Sequence, residues 1–315
     1  MESIELKEKK KSLMDKLCDL ENRVGNTPFV KLHSFKNTYS KLEFYQLGDS
    51  IKIRPALHIV KNAIRENLIN RDTVIIESTS GNFGIALSII SKYLGLKFIG
   101  VIDKNTPKRK EDLLRLYGAD VVMIEEKDET GGYLLNRVKY IEDYKKENNE
   151  NCFHPNQYQN INNPKSYYVG MGEEICNYFE DLDAVIVAVS SGGTITGLSR
   201  KLKLKFPDIK VIAVDVEGSF VFQNRPHKRN LSGIGSSMKS DHIKDAIIDR
   251  VEILNEEEIL KGCKDLLDDE LIFGGSSSGA AYATVKKYKE ENPDETVLFI
   301  CPDSGLSYIN NFTNK

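Results

Sequence analysis

Three segments of the chain combine hydroxyl side chains with glycine where an apolar run gives way to an amphipathic one. They read ESTSGNFG at 77–84, SSGGTITG at 190–197 and GGSSSGAA at 274–281. Backbone N–H groups at a helix start and nearby hydroxyls attract anions, and the helix dipole adds to that attraction. The three segments together predict sites for a phosphate, a substrate carboxylate and a heteroatom ring.

Each segment also has an interpretation that needs no ligand. One Ser or Thr at 78–80 would be an ordinary N-cap, although three hydroxyl residues in a row exceed what a cap needs. The glycines at 192–193 could form a tight turn that binds nothing. The second segment lacks the lysine of a Walker A loop, yet Asp215 ends the next strand eighteen residues after Gly197. That spacing superficially fits a dinucleotide fingerprint, so an NAD-binding dehydrogenase is the alternative from another class.

Lys52 stands in the segment GDSIKIRPA at 48–56, between a Gly-Asp-Ser turn and an apolar helix. A lysine at such a place commonly extends its ammonium group to the surface. A lysine that faces a phosphate-lined cleft has instead the amine needed for a Schiff base with an aldehyde. The local pattern leaves both interpretations open.

Short apolar runs rich in β-branched residues alternate with longer amphipathic runs along most of the chain. The predicted strands lie at 73–78, 98–103, 120–126, 184–191, 210–215 and 296–305. Continuous apolar strands separated by helices predict parallel sheets that are covered on both faces. Ligands bind at the carboxyl ends of such strands, where the hydroxyl-rich segments stand. The polar region 142–167 is the predicted passage between two domains.

Composition excludes several classes of protein. The 315 residues suffice for two domains, and 40 % hydrophobic with 29 % charged residues is typical of soluble globular proteins. A net charge of -3 argues against a nucleic-acid partner. We expect neither a membrane span nor a signal peptide, because no apolar stretch is long enough. Five widely spaced cysteines without a CxxC pair predict a cytoplasmic location, and five histidines without HxH or HxxxH spacing predict no metal site.

Taken together, the motifs resemble the cysteine synthase (O-acetylserine sulfhydrylase) family of pyridoxal-phosphate enzymes, which have fold type II. The resemblance covers nearly the whole chain, in the family's order. The matching motifs are GNTP at 25–28, SIK at 50–52, TSGN at 79–82, NQY at 156–158, GGT at 192–194 and SSG at 277–279. It implies an α/β fold similar to the tryptophan synthase β subunit, with two open, mostly parallel sheets covered by helices. A smaller mobile domain is predicted at 45–150, and a larger one with the phosphate-binding segment at 1–44 plus 151–315.

The resemblance also implies a role for each matched residue. Lys52 would form the internal aldimine with pyridoxal 5′-phosphate and later remove the substrate Cα proton. Asn82 would bond the 3′-oxygen of the ring, and Ser277 would face the pyridine nitrogen. The residues that would hold the cofactor phosphate are Ser190, Ser191, Gly192, Gly193 and Thr194. Those that would receive the substrate carboxylate are Thr79, Ser80 and Gln157.

A serine at the pyridine nitrogen makes the ring a shallower electron sink than a carboxylate would. A shallow sink suits a substrate whose β-substituent departs at once and leaves an aminoacrylate. The implied function is β-elimination or β-replacement on an L-serine or L-cysteine type amino acid, such as cysteine synthesis or sulfide release from cysteine. The resemblance further implies a homodimer that acts on small amino-acid substrates.

Four segments are similar instead to the N-(2-amino-2-carboxyethyl)-L-glutamate synthase branch, which joins O-phosphoserine to glutamate. They are GGYL at 131–134, GS at 218–219, LSGIG at 231–235 and PDSG at 302–305. Ile53 and Phe83 also depart from residues that many relatives carry. Glutamate would need paired cationic donors, for which Arg137 is a candidate, although an exposed helical arginine has the same local pattern. Sulfide or thiol chemistry asks for fewer special residues and is the preferred interpretation.

Overall fold

The computed structural model describes residues 12–79, 81–129, 131–148, 151–224 and 227–310. The helices in these ranges are α1 Leu13–Glu21, α2 Ile53–Arg65, α3 Asn82–Leu94, α4 Lys108–Leu116, α5 Leu134–Glu147, α6 Asn162–Val169, α7 Met171–Tyr178, α8 Gly193–Lys205, α9 Glu256–Glu270 and α10 Ser276–Glu291. The strands are β1 Phe29–Lys31, β2 Thr38–Leu42, β3 Val74–Ser78, β4 Lys97–Asp103, β5 Asp120–Ile124, β6 Cys152–Phe153, β7 Ala184–Ala188, β8 Lys210–Val216, β9 Arg250–Leu254 and β10 Val297–Cys301. None of the helices so described has both the length and the apolar character needed to cross a membrane.

The described chain divides into two compact units. The smaller unit contains residues 12–25 and 52–156, and the larger unit contains residues 26–51 and 157–310. The sequence assigned the smaller domain to 45–150, so the units differ from that prediction at the N-terminal segment and by several residues at the other boundaries.

Helix α1 belongs to the smaller unit because its apolar face packs there, against α2 and α3. Leu17 and Leu20 are buried in this contact. The helix starts with a capping box, in which the Ser12 hydroxyl accepts the Asp15 N–H and the Asp15 carboxylate accepts the Ser12 N–H. These contacts are made by residues distant in the chain, so the local sequence gave no sign of which unit α1 would join.

The larger unit is built on a six-stranded sheet with the order β1-β2-β10-β7-β8-β9. All its strand pairs are parallel except β1 with β2. Successive residues of β7, Val185 and Ile186, face two different apolar clusters. Helices therefore cover both faces of this sheet, which confirms the fold predicted from the continuous apolar strands.

The smaller unit has a four-stranded sheet with the order β5-β4-β3-β6, and every pair is parallel. Ile76 of β3 and Val101 of β4 form an apolar cluster with Ile141 of α5. The chain is thus an α/β protein with two mostly parallel sheets, as the sequence predicted.

Helices α9 and α10 of the larger unit pack so closely that their backbones are in contact at two glycines. A Cβ atom on Gly262 would lie 3.0 Å from the Ala283 Cβ and still closer to the Gly279 carbonyl. A Cβ atom on Gly279 would lie 2.6 Å from the Cys263 nitrogen. Glycine is needed at both positions because no side chain fits between the helices.

We predict that Gly262→Ala lowers the free energy of unfolding by about 1–3 kcal/mol, because an overpacked helix contact forces the backbone to move. The neighbouring Lys261→Ala is the control, since the Lys261 side chain is largely exposed and its ion pair with Asp265 lies at the surface. Thermal unfolding of the two variants checks this. Equal melting temperatures would contradict the close packing.

Candidate active site

The segment 190–194 joins strand β7 to helix α8 in the larger unit. Gly192 is the N-cap of α8 and has a φ of 81°, a left-handed conformation that favours glycine. The first N–H groups of a helix lack acceptors within it and carry its positive dipole end. The predicted phosphate-binding segment therefore has the backbone form of an anion site.

Two buried side chains from elsewhere in the larger unit hold this segment in place. The Asn163 amide donates to the Gln157 carbonyl at 2.6 Å and to the Ser191 hydroxyl at 3.4 Å. The Ser240 hydroxyl donates to the Ser191 carbonyl. Asn163 also fills the space beside Gly193, where a Cβ atom would lie 2.5 Å from the Asn163 Cγ. Neither Asn163 nor Ser240 stands in a recognisable motif, so the sequence did not identify either residue.

Ser277 lies in the first turn of α10 and is buried. Its hydroxyl has no hydrogen-bond partner among the described residues, and the same holds for Ser276. A buried hydroxyl without a partner loses free energy on desolvation. The Ser277 hydroxyl is therefore suited to a polar atom of a ligand.

Lys52 is the first residue of the smaller unit after the chain leaves the larger one. The preceding residue, Ile51, donates its N–H to the Pro302 carbonyl at 2.7 Å. Ser50 forms a backbone bridge with Asp303. The chain is thus anchored beyond the end of β10 one residue before the predicted reactive lysine.

The elements of the larger unit converge at one edge of its sheet. Strands β7 and β10 are parallel neighbours, so their carboxyl ends meet. The segment 190–194 follows β7, while Gly275, the N-cap of α10, donates its N–H to the Asp303 carbonyl beyond β10 at 3.0 Å. The structure therefore brings segment 190–194, the helix start with Ser277 and the anchor at Ile51 to neighbouring strand ends.

The smaller unit carries the first hydroxyl-rich segment at the carboxyl end of β3. The buried Thr79 hydroxyl accepts the N–H of Gly84 at 2.9 Å and the N–H of Gly81 at 3.4 Å. The N-cap residue of α3 is Gly81, so Thr79 is not an ordinary N-cap, and its hydroxyl proton remains able to donate to an anion. Gly84 is required here, because a Cβ atom would lie 2.8 Å from the Thr79 Oγ1. Asn82 is the first residue of α3.

The remaining predicted carboxylate-binding residues are placed differently. Ser80 lies outside the described residues. Gln157 is the first residue of the larger unit's second segment and is buried. Its carbonyl accepts from the Asn163 amide and faces the His242 ring at 3.1 Å, so the backbone of Gln157 is tied to the residues around segment 190–194. Each of these contacts lies within the larger unit.

The residues that depart from the family pattern pack in cores. Ile53 has no exposed surface and Phe83 is 2 % exposed, and both stand in first turns of helices of the smaller unit. The Arg137 side chain is largely buried, and its counter-charge is the Asp103 carboxylate, which lies 3.3 Å from the Arg137 Nε.

Asp215 does not have the exposure that a dinucleotide site requires. Its side chain is completely buried in β8 and accepts the N–H of Val216 at 2.9 Å. Burial raises the pKa of the Asp215 carboxyl above its ordinary value. A ribose hydroxyl could not reach it. Within the described ranges, no three His, Cys, Asp or Glu residues are grouped to hold a metal ion.

Comparison with known proteins gives the same result as the motifs. A family model described as "Pyridoxal-phosphate dependent enzyme" matches residues 20–303. A hydrogen sulfide-producing enzyme from Fusobacterium nucleatum is 32 % identical, with a TM-score of 0.85 over 92 % of this chain and 97 % of that one. An O-acetylserine dependent cystathionine beta-synthase from Helicobacter pylori is 29 % identical, with a TM-score of 0.84 over 92 % and 96 %. An O-acetylserine sulfhydrylase isoform 3 from Entamoeba histolytica is 28 % identical, with a TM-score of 0.82 over 92 % and 89 %.

The larger unit fits pyridoxal phosphate on two observations. The N–H groups at the start of α8 and the hydroxyls of segment 190–194 are the donors that a phosphate needs. The buried Ser277 hydroxyl, without a partner in the described part of the chain, suits the pyridine nitrogen. A neutral hydroxyl at that position agrees with the chemistry expected from the sequence.

We predict that Gly193→Ala weakens the affinity for pyridoxal phosphate by about tenfold or more, because the added methyl group displaces Asn163 or the segment that it holds. Titration of the apoprotein with pyridoxal phosphate, followed by absorbance, measures this. The control is Arg200→Ala, an exposed position on the same helix. Unchanged affinity in Gly193→Ala would rule out segment 190–194 as the phosphate site.

Proposed function

This chain belongs to the pyridoxal-phosphate dependent enzyme family, and from that premise we propose that it exchanges or removes the β-substituent of L-serine or L-cysteine type amino acids, with sulfide or a thiol as the reaction partner. It is a β-replacement enzyme that depends on pyridoxal phosphate. The proposal concerns the substrates and the residue roles.

The observation that carries the proposal is the neutral, buried Ser277 hydroxyl at the helix start beside the phosphate-binding edge. When bound, pyridoxal phosphate supplies an electron sink for the bonds at the substrate Cα. A hydroxyl does not protonate the pyridine nitrogen as a carboxylic acid would. The enzyme is therefore suited to substrates whose β-substituent leaves readily.

The chain's own residues bind, orient and move a proton in this proposal. The hydroxyls and N–H groups of segment 190–194 hold the phosphate, and Asn163 and Ser240 keep that segment rigid. The Lys52 amine moves the proton at the substrate Cα. Thr79 and Gln157 bind the α-carboxylate together with Ser80, and Asn82 donates to the ring 3′-oxygen.

Sulfide or thiol chemistry is favoured over the glutamate-joining alternative. Arg137, the candidate donor for a second dicarboxylate substrate, already faces Asp103. The related proteins are described as hydrogen sulfide-producing and O-acetylserine dependent enzymes. We further propose that the protein is a homodimer and that its smaller domain closes when the carboxylate binds. The proposed location is the cytoplasm, which the wide spacing of the five cysteines supports.

We predict that cysteine releases sulfide, or that O-acetylserine or O-phosphoserine incorporates it, faster than any of them forms a glutamate adduct. Each of the three amino acids is incubated with sulfide, with glutamate or with buffer alone, and the products are identified by mass spectrometry. Rapid formation of the glutamate adduct from O-phosphoserine, with little sulfide chemistry, would overturn the preference.

We also predict that Lys52→Ala abolishes the yellow colour and the turnover of the purified enzyme, because it removes the amine that holds the cofactor. Lys61→Ala is the control, because Lys61 lies in the helix that Lys52 precedes and is paired with Glu21. The visible spectrum of each variant after reconstitution with pyridoxal phosphate is the measurement that tests this prediction. A wild-type protein that stays colourless, or a Lys52→Ala variant with the wild-type spectrum, would contradict the role of Lys52.

A further inference from the structure

His242 is a buried histidine of the larger unit that lies outside the motifs found in the sequence. It stands in the short 3₁₀-helix Asp241–Asp245, between strands β8 and β9, and is 5 % exposed. Its ring Nε2 lies 3.1 Å from the Gln157 carbonyl oxygen. Because a carbonyl oxygen accepts hydrogen bonds and cannot donate them, Nε2 carries the proton in this contact. The imidazole is therefore a hydrogen-bond donor directed at Gln157.

The backbone of His242 is bonded on both sides to groups at the phosphate-binding segment 190–194. Its N–H donates to the Ser240 hydroxyl at 3.3 Å, and that hydroxyl donates in turn to the Ser191 carbonyl. Its carbonyl accepts the hydroxyl of Thr196, in helix α8, at 2.9 Å. The residue thus connects the segment and the helix that follows it to Gln157.

These hydrogen bonds form a closed circuit beside the phosphate segment. Asn163 completes the circuit, because its amide donates to the Ser191 hydroxyl and to the same Gln157 carbonyl that the His242 ring contacts. All the residues of the circuit are buried. In a buried network, removal of one donor leaves an acceptor desolvated and unsatisfied, so the loss exceeds that of an exposed hydrogen bond.

Packing at Gly192 brings the residues on either side of His242 against the phosphate donors. A Cβ atom on Gly192 would lie 2.9 Å from the Ile243 Cδ1 and 3.3 Å from the Ser240 Oγ. Residues 240–243 therefore support the N-cap of α8, where the N–H groups for an anion begin. Displacement of these residues would remove that support.

We propose that His242 is a positioning residue for the cofactor phosphate, whose ring holds residues 240–243 to Gln157 so that segment 190–194 is ordered before the phosphate binds. This inference rests on the proposed function, in which segment 190–194 receives that phosphate. Order in the segment increases the affinity for pyridoxal phosphate. Pyridoxal, which has the same ring and aldehyde but no phosphate, gains nothing from it.

The test compares pyridoxal 5′-phosphate with pyridoxal in titrations of the apoprotein, followed by the visible absorbance of each bound aldehyde. We expect wild type to bind pyridoxal phosphate more tightly than pyridoxal. His242→Leu should weaken pyridoxal phosphate binding by about 5- to 50-fold, the range for a lost hydrogen bond that leaves a buried acceptor unsatisfied, and change pyridoxal binding by less than about twofold. His242→Gln, whose side-chain amide is also a donor, should recover most of the affinity for pyridoxal phosphate.

Two further variants separate positioning from general stability. Lys244→Met is the control in the same 3₁₀-helix, because the Lys244 ammonium is exposed and pairs with Asp241 at the surface. It should bind both aldehydes as wild type does. Thr196→Val removes the hydroxyl that bonds the His242 carbonyl and should selectively weaken pyridoxal phosphate binding, which keeps the inference testable if His242→Leu does not fold.

The outcomes distinguish the inference from the function on which it rests. If His242→Leu weakens the binding of both aldehydes equally, or of neither, His242 does not position the phosphate segment and the inference fails. If wild type binds pyridoxal as tightly as pyridoxal phosphate, segment 190–194 is not the phosphate site, and the proposed function fails first.

Discussion

The hydrogen bond from the Ile51 N–H to the Pro302 carbonyl fixes the point at which the chain leaves the larger unit. Ile51 is also packed into an apolar core of that unit, so the anchor is held by its side chain as well as by its backbone. Lys52 is the next residue and begins the smaller unit. The chain therefore delivers the lysine from the strand end that also holds the start of the Ser277 helix.

The polar groups at this edge are set before any ligand arrives. Segment 190–194 cannot relax freely, because the Asn163 amide and the Ser240 hydroxyl hold Ser191 from two sides. The lack of a side chain at Gly193 lets Asn163 approach this closely. A site held in this way binds an anion without first paying to order its own donors. The Ser277 hydroxyl, which has no partner in the described part of the chain, belongs to the same arrangement, since burial without a partner is tolerable where a ligand supplies one.

At the edge of the smaller sheet, the buried carboxylates already have partners within the protein. Glu77 and Asp103 are both buried in the smaller unit. Glu77 lies beside the His154 ring, and Asp103 lies beside Arg137. Pairing of Arg137 in this way makes it a structural residue, which weakens the case for a dicarboxylate as the second substrate. The departures Ile53 and Phe83 likewise belong to the apolar core, so they alter packing next to the motifs and add no charge to them.

The sequence alone determined the fold class and the strands that are buried on both faces, because continuous apolar runs are local signals. The cofactor followed from the family resemblance that the motifs carry in their order along the chain. It did not reveal β1, β2, β6 or β9. Strand β6 has two residues and β9 is an edge strand with exposed positions, while β2 contains Lys41, which is fully buried because Glu174 lies 2.7 Å away. Only the tertiary structure decided that α1 joins the smaller unit and that Asn163 and Ser240 shape the phosphate segment. Asn163 and Ser240 lie 28 and 49 positions from Ser191 in the chain, and contacts over such distances leave no periodic pattern in the sequence.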